Sequence, residues 1–162
     1  MAMFSPSYET QQAILDTIHR LFIYTDSRNW NALKDCFQEA FVLDYSSMNG
    51  VAPMTTTPEQ VIDNWSNFLP GFEATHHQIS NPIIRLEGWR ASAFCNGTAA
   101  HFLPNPSGQN VWTVYGTYDF ELQQNNAQWR VSKMAFRFKF QDGNLQLADL
   151  ARLAMGNKVA QV

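Results

Sequence analysis

Thr75-His76-His77-Gln78-Ile79-Ser80-Asn81-Pro82, a turn at Glu87-Gly88-Trp89, and then Arg90 to His101 form the stretch that decides the fold of this chain. Read as two adjacent antiparallel strands, it places one histidine near the start of the first strand and another near the end of the second, as cross-strand neighbours. Alternation puts His77, Ile79 and Asn81 on one face and His76, Gln78 and Ser80 on the other, so His76 is expected to point away from His77's side. In the second strand Ala91, Ala93, Cys95, Gly97, Ala99 and His101 share a face. A row of small side chains leaves volume above the sheet, to be filled by a packed helix or by a ligand. A histidine on an apolar face is commonly a hydrogen-bonded core residue, yet two imidazoles facing one cavity would make an acid–base site.

Upstream, Ser5-Pro6 or Ser7 can cap a helix with an Ile14, Leu15, Ile18, Leu21, Phe22 stripe. Four residues past Phe22 the stripe reaches Asp26, which either projects a carboxylate toward the buried side or simply opens the turn Asp26-Ser27-Arg28-Asn29. Asn29 can cap a short helix carrying Trp30, Leu33, Cys36 and Phe37. A strand follows over 41–45, in which Phe41, Leu43 and Tyr45 share a face, so that the Tyr45 hydroxyl needs a partner. Residues 46–57 read as a long loop. Thr57-Pro58-Glu59-Gln60 then opens a capped helix with Val61, Ile62, Trp65, Phe68 and Leu69 on one stripe, stopped by Pro70-Gly71.

Downstream of His101, a turn at 104–108 leads to a strand with Trp112, Val114, Gly116, Tyr118, Phe120 and Leu122 on one side. The last strand changes phase between Val131 and Met134, which implies a bulge near Ser132-Lys133 and a bent, concave sheet. Pro82 implies an edge position or a bulge in the first hairpin strand. Asp142-Gly143-Asn144 turns into a final helix over 145–155, with Gly156 as its stop and a frayed tail over about 156–162. Helices first, four consecutive antiparallel strands and a closing helix make an α+β domain spanning 1–162, its curved sheet wrapped over helices.

The chain has 162 residues, 45% hydrophobic and 15% charged, with twelve Phe and five Trp, enough for one domain to bury a core without disulfides or metal. A net charge of -3 without a Lys/Arg run excludes a nucleic-acid footprint, and no basic amphipathic or membrane-length apolar segment appears. The N-terminus lacks the pattern of a secretory signal, and Cys36 and Cys95 lack metal-ligand spacing and read as packing thiols, so the expected compartment is the cytoplasm.

Asp26, Tyr45, His77 and His101 thus project toward one concavity. With Asp26-Ser27-Arg28-Asn29-Trp30, Leu43-Asp44-Tyr45, Thr75-His76-His77, His101 and Gln128-Trp129-Arg130-Val131 in this order, the chain resembles the SnoaL-like branch of the nuclear transport factor 2-like superfamily, closest to the scytalone dehydratase type. The resemblance implies a cone-shaped fold with a deep pocket and elimination of water from a β-hydroxy ketone without a cofactor. It makes His77 the base or acid at the carbon and the leaving hydroxyl, pairs His101 with Asp26, and gives Tyr45 the carbonyl. The sequence departs from the family at Thr25, where a tyrosine is expected although Tyr24 is adjacent, and at Gly116 and Tyr118, where a serine and an asparagine are expected. A different substrate edge follows, and the expected lining is Tyr24, Trp65, Cys95, Gly116, Tyr118, Phe136 and Phe138.

Three functions fit these residues. The first is an acid–base enzyme (dehydratase, isomerase or cyclase) acting on a small apolar carbonyl or polyketide-like molecule. The second is a non-catalytic ligand-binding or subunit-type protein of the same fold. The third, a metal site of two histidines and a carboxylate, has no second shell to mark it. Many aromatics and few charges lead to the further expectation of a homo-oligomer, a dimer or trimer.

Overall fold

The computed structural model describes residues 7–159. Helix α1 spans Tyr8–Asp26, with the Ser7 hydroxyl accepting the Thr10 N–H at its N-cap; of the two candidate caps, Ser5-Pro6 lies outside the described residues. Ile14, Ile18, Leu21 and Phe22 bury the expected stripe, each contributing about 1.5–3 kcal/mol of transfer free energy. After α2 (Trp30–Leu33), capped by Asn29, the expected short helix tightens into a 3-10 turn over Lys34–Cys36. Phe37 therefore opens a strand rather than continuing a helical stripe.

That strand, β1 (Phe37–Asp44), begins four residues earlier than the alternation at 41–45 suggested and ends before Tyr45. A register shift between Phe37 and Val42 hides its first half from a strict period of two. The segment read as a loop holds a one-turn helix α3 (Ser46–Asn49) and a short strand β2 (Met54–Thr56). Both are too short to show periodicity. Helix α4 (Pro58–Ser66) has the full capping box, with Thr57 and Gln60 satisfying each other's backbone N–H groups. A 3-10 turn at Leu69–Gly71 follows.

Four long strands complete the sheet: β3 (Ala74–Glu87), β4 (Arg90–Phe102), β5 (Val111–Asn125) and β6 (Gln128–Gly143). The order is β2-β1-β6-β5-β4-β3, antiparallel except for the β1–β6 pair. The six strands make a curved, unclosed sheet wrapped around the helices, which is the α+β cone anticipated above. Pro82 answers both expectations, because β3 is an edge strand and its register with β4 shifts between Ser80 and Ile83. The phase change in the last strand is a bulge, with Val131 paired to Leu122 and Lys133 to Glu121. A second irregularity, between Tyr115 and Gly116, has no signature in the hydrophobic pattern. Each bulge adds bend and twist, and together they turn the inner face concave.

Helix α5 (Leu147–Val159) packs Leu147 and Ala151 into the core and runs through Gly156 instead of stopping there. Gly156 keeps a negative φ, so it builds no left-handed cap, and a mid-helix glycine costs only about 1 kcal/mol. Among the described residues no helix is long and apolar enough to cross a membrane.

Candidate active site

Asp26 is the last residue of α1, and the chain's next contact with it comes from β3. Its Oδ1 accepts from the Thr75 hydroxyl at 2.9 Å and lies 2.7 Å from His77 Nδ1, while Oδ2 accepts the His77 backbone N–H at 2.7 Å. Of the two readings of Asp26, the structure selects the inward carboxylate; the turn that follows is capped separately by Ser27. Burial pushes its carboxyl upward, and the bonds from His77 and Thr75 together outweigh burial and hold it below the ordinary carboxylate range. A carboxylate only accepts, so Nδ1 of His77 carries a proton and donates it to Asp26, and the ring lines the cavity. Phe22 stacks on the imidazole at a centroid distance of 5.3 Å.

The pairing of His101 with Asp26 implied by the resemblance is not present. His101 Nδ1 lies 3.3 Å from the Trp112 carbonyl, and its ring packs between Trp112 and Phe72 at 4.5 and 4.8 Å. The register explains this: Thr75 lies opposite His101 and His77 opposite Ala99, so the two histidines are diagonal, with centroids 6.3 Å apart. Burial, reinforced by the neighbouring His77, pushes the His101 pKa down to about 4. At neutral pH His101 is uncharged, donates Nδ1–H to Trp112, and offers Nε2 as an acceptor.

Tyr45 follows β1 and precedes α3, yet still reaches the cavity, which Tyr118 lines as well. Burial raises both phenols above their ordinary range, so both remain donors. The Tyr118 ring lies over Gly97 and the Phe136 ring over Gly116, in space that a Cβ at either glycine would occupy. Aromatic rings from neighbouring strands, rather than a helix alone, fill part of the volume above the small-residue row.

Tyr45, His77, His101 and Tyr118 face one cavity of about 320 Å³, closed by Leu21 and Phe22 from α1, Trp65 and Phe68 near α4, and Met134 on β6, whereas Asp26, expected to project into it, reaches it only through its bond to His77. Among the described residues its lining contains no Lys or Arg. The mouth is formed by α3 and the segment after it, including Met48, Val51 and Met54. Asp44 holds this segment by accepting from Ser46 N and Oγ and from Arg137, and Ser47 bridges the Phe136 carbonyl and the Phe138 N–H.

Of the expected lining, Trp65, Tyr118 and Phe136 face the cavity. Tyr24 does not, because it sits on the other side of α1, beside Thr17 and Arg20 in a separate cleft. Cys95 is sealed in the core, Gly116 is covered by Phe136, and Phe138 packs on the core without reaching the lining. His76 is exposed, as alternation predicts. Sequence reasoning missed the mouth residues, and it missed Arg28, whose guanidinium bonds the Thr75 hydroxyl; its place two residues after Asp26 was the available signal. Among the described residues no group of three His, Cys, Asp or Glu side chains is arranged to hold a metal ion.

A curved, unclosed sheet wrapped over helices, with an Asp26–His77 pair at the wall of an apolar cavity, defines a cone-shaped pocket protein. The sequence profile of the SnoaL-like domain matches residues 6–135, and the chain belongs to this family of the nuclear transport factor 2-like superfamily. It is similar to the Kfla4162 protein from Kribbella flavida, with 25% identity, a TM-score of 0.82 and coverage of 91% of this chain and 99% of that one. A Novosphingobium aromaticivorans protein provisionally assigned as a scytalone dehydratase shares the fold at 18% identity and a TM-score of 0.67, over 83% of this chain and 87% of that one. The hexachlorocyclohexane dehydrochlorinase LinA-type3 from Novosphingobium barchaimii does so at 16% identity and a TM-score of 0.70, over 85% and 91%. No curated protein matches the chain by sequence.

Proposed function

We propose that the chain is a cofactor-independent acid–base enzyme that moves a proton beside the carbonyl of a small, largely apolar, uncharged substrate. The observation that carries this reading is the 2.7 Å contact between Asp26 and His77 Nδ1, which leaves His77 Nε2 as a base facing the cavity. Nε2 takes a proton from the carbon next to the carbonyl, and the electron pair moves onto the carbonyl oxygen. Tyr45, with Tyr118 behind it, donates to that oxygen, where negative charge develops. Asp26 stabilises the imidazolium that forms. The pair then returns and expels a β-hydroxyl, which leaves as water with the proton from His77. Without a leaving group the proton returns elsewhere, and the outcome is isomerisation or ring closure. His101 supplies a neutral acceptor that orients a substrate hydroxyl.

The absence of Lys and Arg from the lining among the described residues disfavours carboxylate or phosphate substrates, whose desolvation a cation would have to offset. Provisional assignment of one fold relative as a dehydratase and the name of another as a dehydrochlorinase support elimination as the reaction type. The two buried free thiols fit a cytoplasmic protein. Self-association through the outer sheet face, where Ile83, Phe94 and Phe140 stand 57%, 37% and 55% exposed, is part of the same proposal.

Incubation with a panel of neutral β-hydroxy ketones and product identification by mass spectrometry tests the assignment. Loss of water from at least one member, abolished by His77→Gln, is expected. Tight binding without turnover by either protein would make this a ligand-binding member of the family instead.

A further inference from the structure

Arg28 adopts φ 59°, a left-handed conformation that a non-glycine residue takes at a cost, and so turns its guanidinium back under the end of α1. There Nη1 donates to the Thr25 carbonyl at 2.8 Å and to Thr75 Oγ1 at 2.7 Å, and Nη2 donates to the Leu69 carbonyl at 3.0 Å. Thr75 Oγ1 in turn lies 2.9 Å from Asp26 Oδ1. The hydroxyl has one proton, and the guanidinium cannot accept it, so the direction of the chain is fixed: Arg28 donates to Thr75, Thr75 to Asp26.

We infer that Arg28 and Thr75 form a positioning relay that holds Asp26 as an ionised acceptor and thereby fixes His77 with Nδ1 protonated and Nε2 bare. With the Thr75 hydroxyl committed to Oδ1, and Oδ2 taken by the His77 backbone N–H, the carboxylate cannot rotate away from the imidazole. Burial lowers the Arg28 pKa and the charge of Asp26 raises it, in a half-buried setting. A neutral donor could tie α1, the Leu69 turn and β3 together equally well. Only a cation also favours the ionised form of Asp26. The other titratable groups facing the pair are His101 on β4 and Tyr118 on β5.

The relay rests on the dyad geometry of the proposed reaction, but its test needs no substrate, so the two can fail separately. In the full-length protein, the Asp26 carboxyl is titrated by carbon NMR and the His77 ring nitrogens are read by nitrogen NMR. Thr75→Val, close in shape and lacking the hydroxyl, is expected to move the Asp26 midpoint up by about one pH unit and to replace the single Nδ1–H tautomer by a mixture. Arg28→Gln should shift both in the same direction, Arg28→Lys by less, and Thr75→Ser should restore both. Wild-type values in Thr75→Val, whatever its stability, would overturn the relay and reduce Arg28 to a clamp between segments. Should Arg28→Gln fail to fold, the Thr75 pair decides alone.

Discussion

Asp26 and His77, 51 residues apart in the chain, share two hydrogen bonds, one through the imidazole and one through the His77 backbone N–H. The second bond fixes the carboxylate to the strand itself, so the geometry survives rotation of the His77 side chain. Asp26→Asn should therefore keep the fold while removing the charge that stabilises the imidazolium. We expect kcat/KM to fall about 10²- to 10⁴-fold with KM little changed, checked by steady-state kinetics beside a thermal melt.

His101 gives the fold a pH dependence of its own. Unfolded, it takes a proton near pH 6.5, and folded only near about 4. Between these values the unfolded chain binds more protons, so stability rises with pH, and acidification across the window removes about 3 kcal/mol. Asp26 acts lower: its depressed pKa adds stability above the ordinary value of 3.8, lost as pH falls through the folded value. Denaturant midpoints measured from pH 7 to 4 should fall for the native chain. For His101→Phe, which keeps an aromatic ring between Phe72 and Trp112, they should stay nearly flat.

Gly97 is required by the ring above it. A methyl group there would overlap the Tyr118 ring, which is buried and cannot step aside. Gly97→Ala should cost about 1–3 kcal/mol and displace the Tyr118 ring and, with it, its hydroxyl. Paired with Tyr118→Phe, it should reduce kcat without further loss, because both variants remove the same donor.

The periods of the sequence carried much of this. Trp112 to Leu122 alternated as one clean inner face, the missed beat at Ser132-Lys133 marked a real bulge, and His77 reached the cavity with Asp26 bonded to it from behind. What failed did so for physical reasons. The hydrophobic pattern ranks faces but not diagonals, so it could not say which histidine meets Asp26; strand register decides that. It could not see α3 and β2, whose residues make the mouth, because one helical turn and three strand residues have no period. Tyr24 was expected beside the cavity from its place next to Thr25, whereas one helical step of about 100° separates their directions.

The outer face of the sheet makes a separate expectation. Phe140 stacks on Tyr115 at 4.5 Å and remains 55% exposed, a costly arrangement for a free surface. Light scattering of the purified protein should give a dimer or trimer mass, reduced by Phe140→Lys. A monomer mass for the unmodified chain would refute self-association.

The proposed step is a proton transfer at carbon by His77, oriented by Asp26. Exchange of the α-hydrogens of a neutral cyclic ketone in deuterated water, followed by proton NMR, reads that step directly, even for a ketone with no leaving group. Exchange is expected at one α-position of a ketone that binds the cavity, and its loss in His77→Gln. Exchange that persists unchanged in His77→Gln, or is absent from every ketone shown to bind, would contradict it.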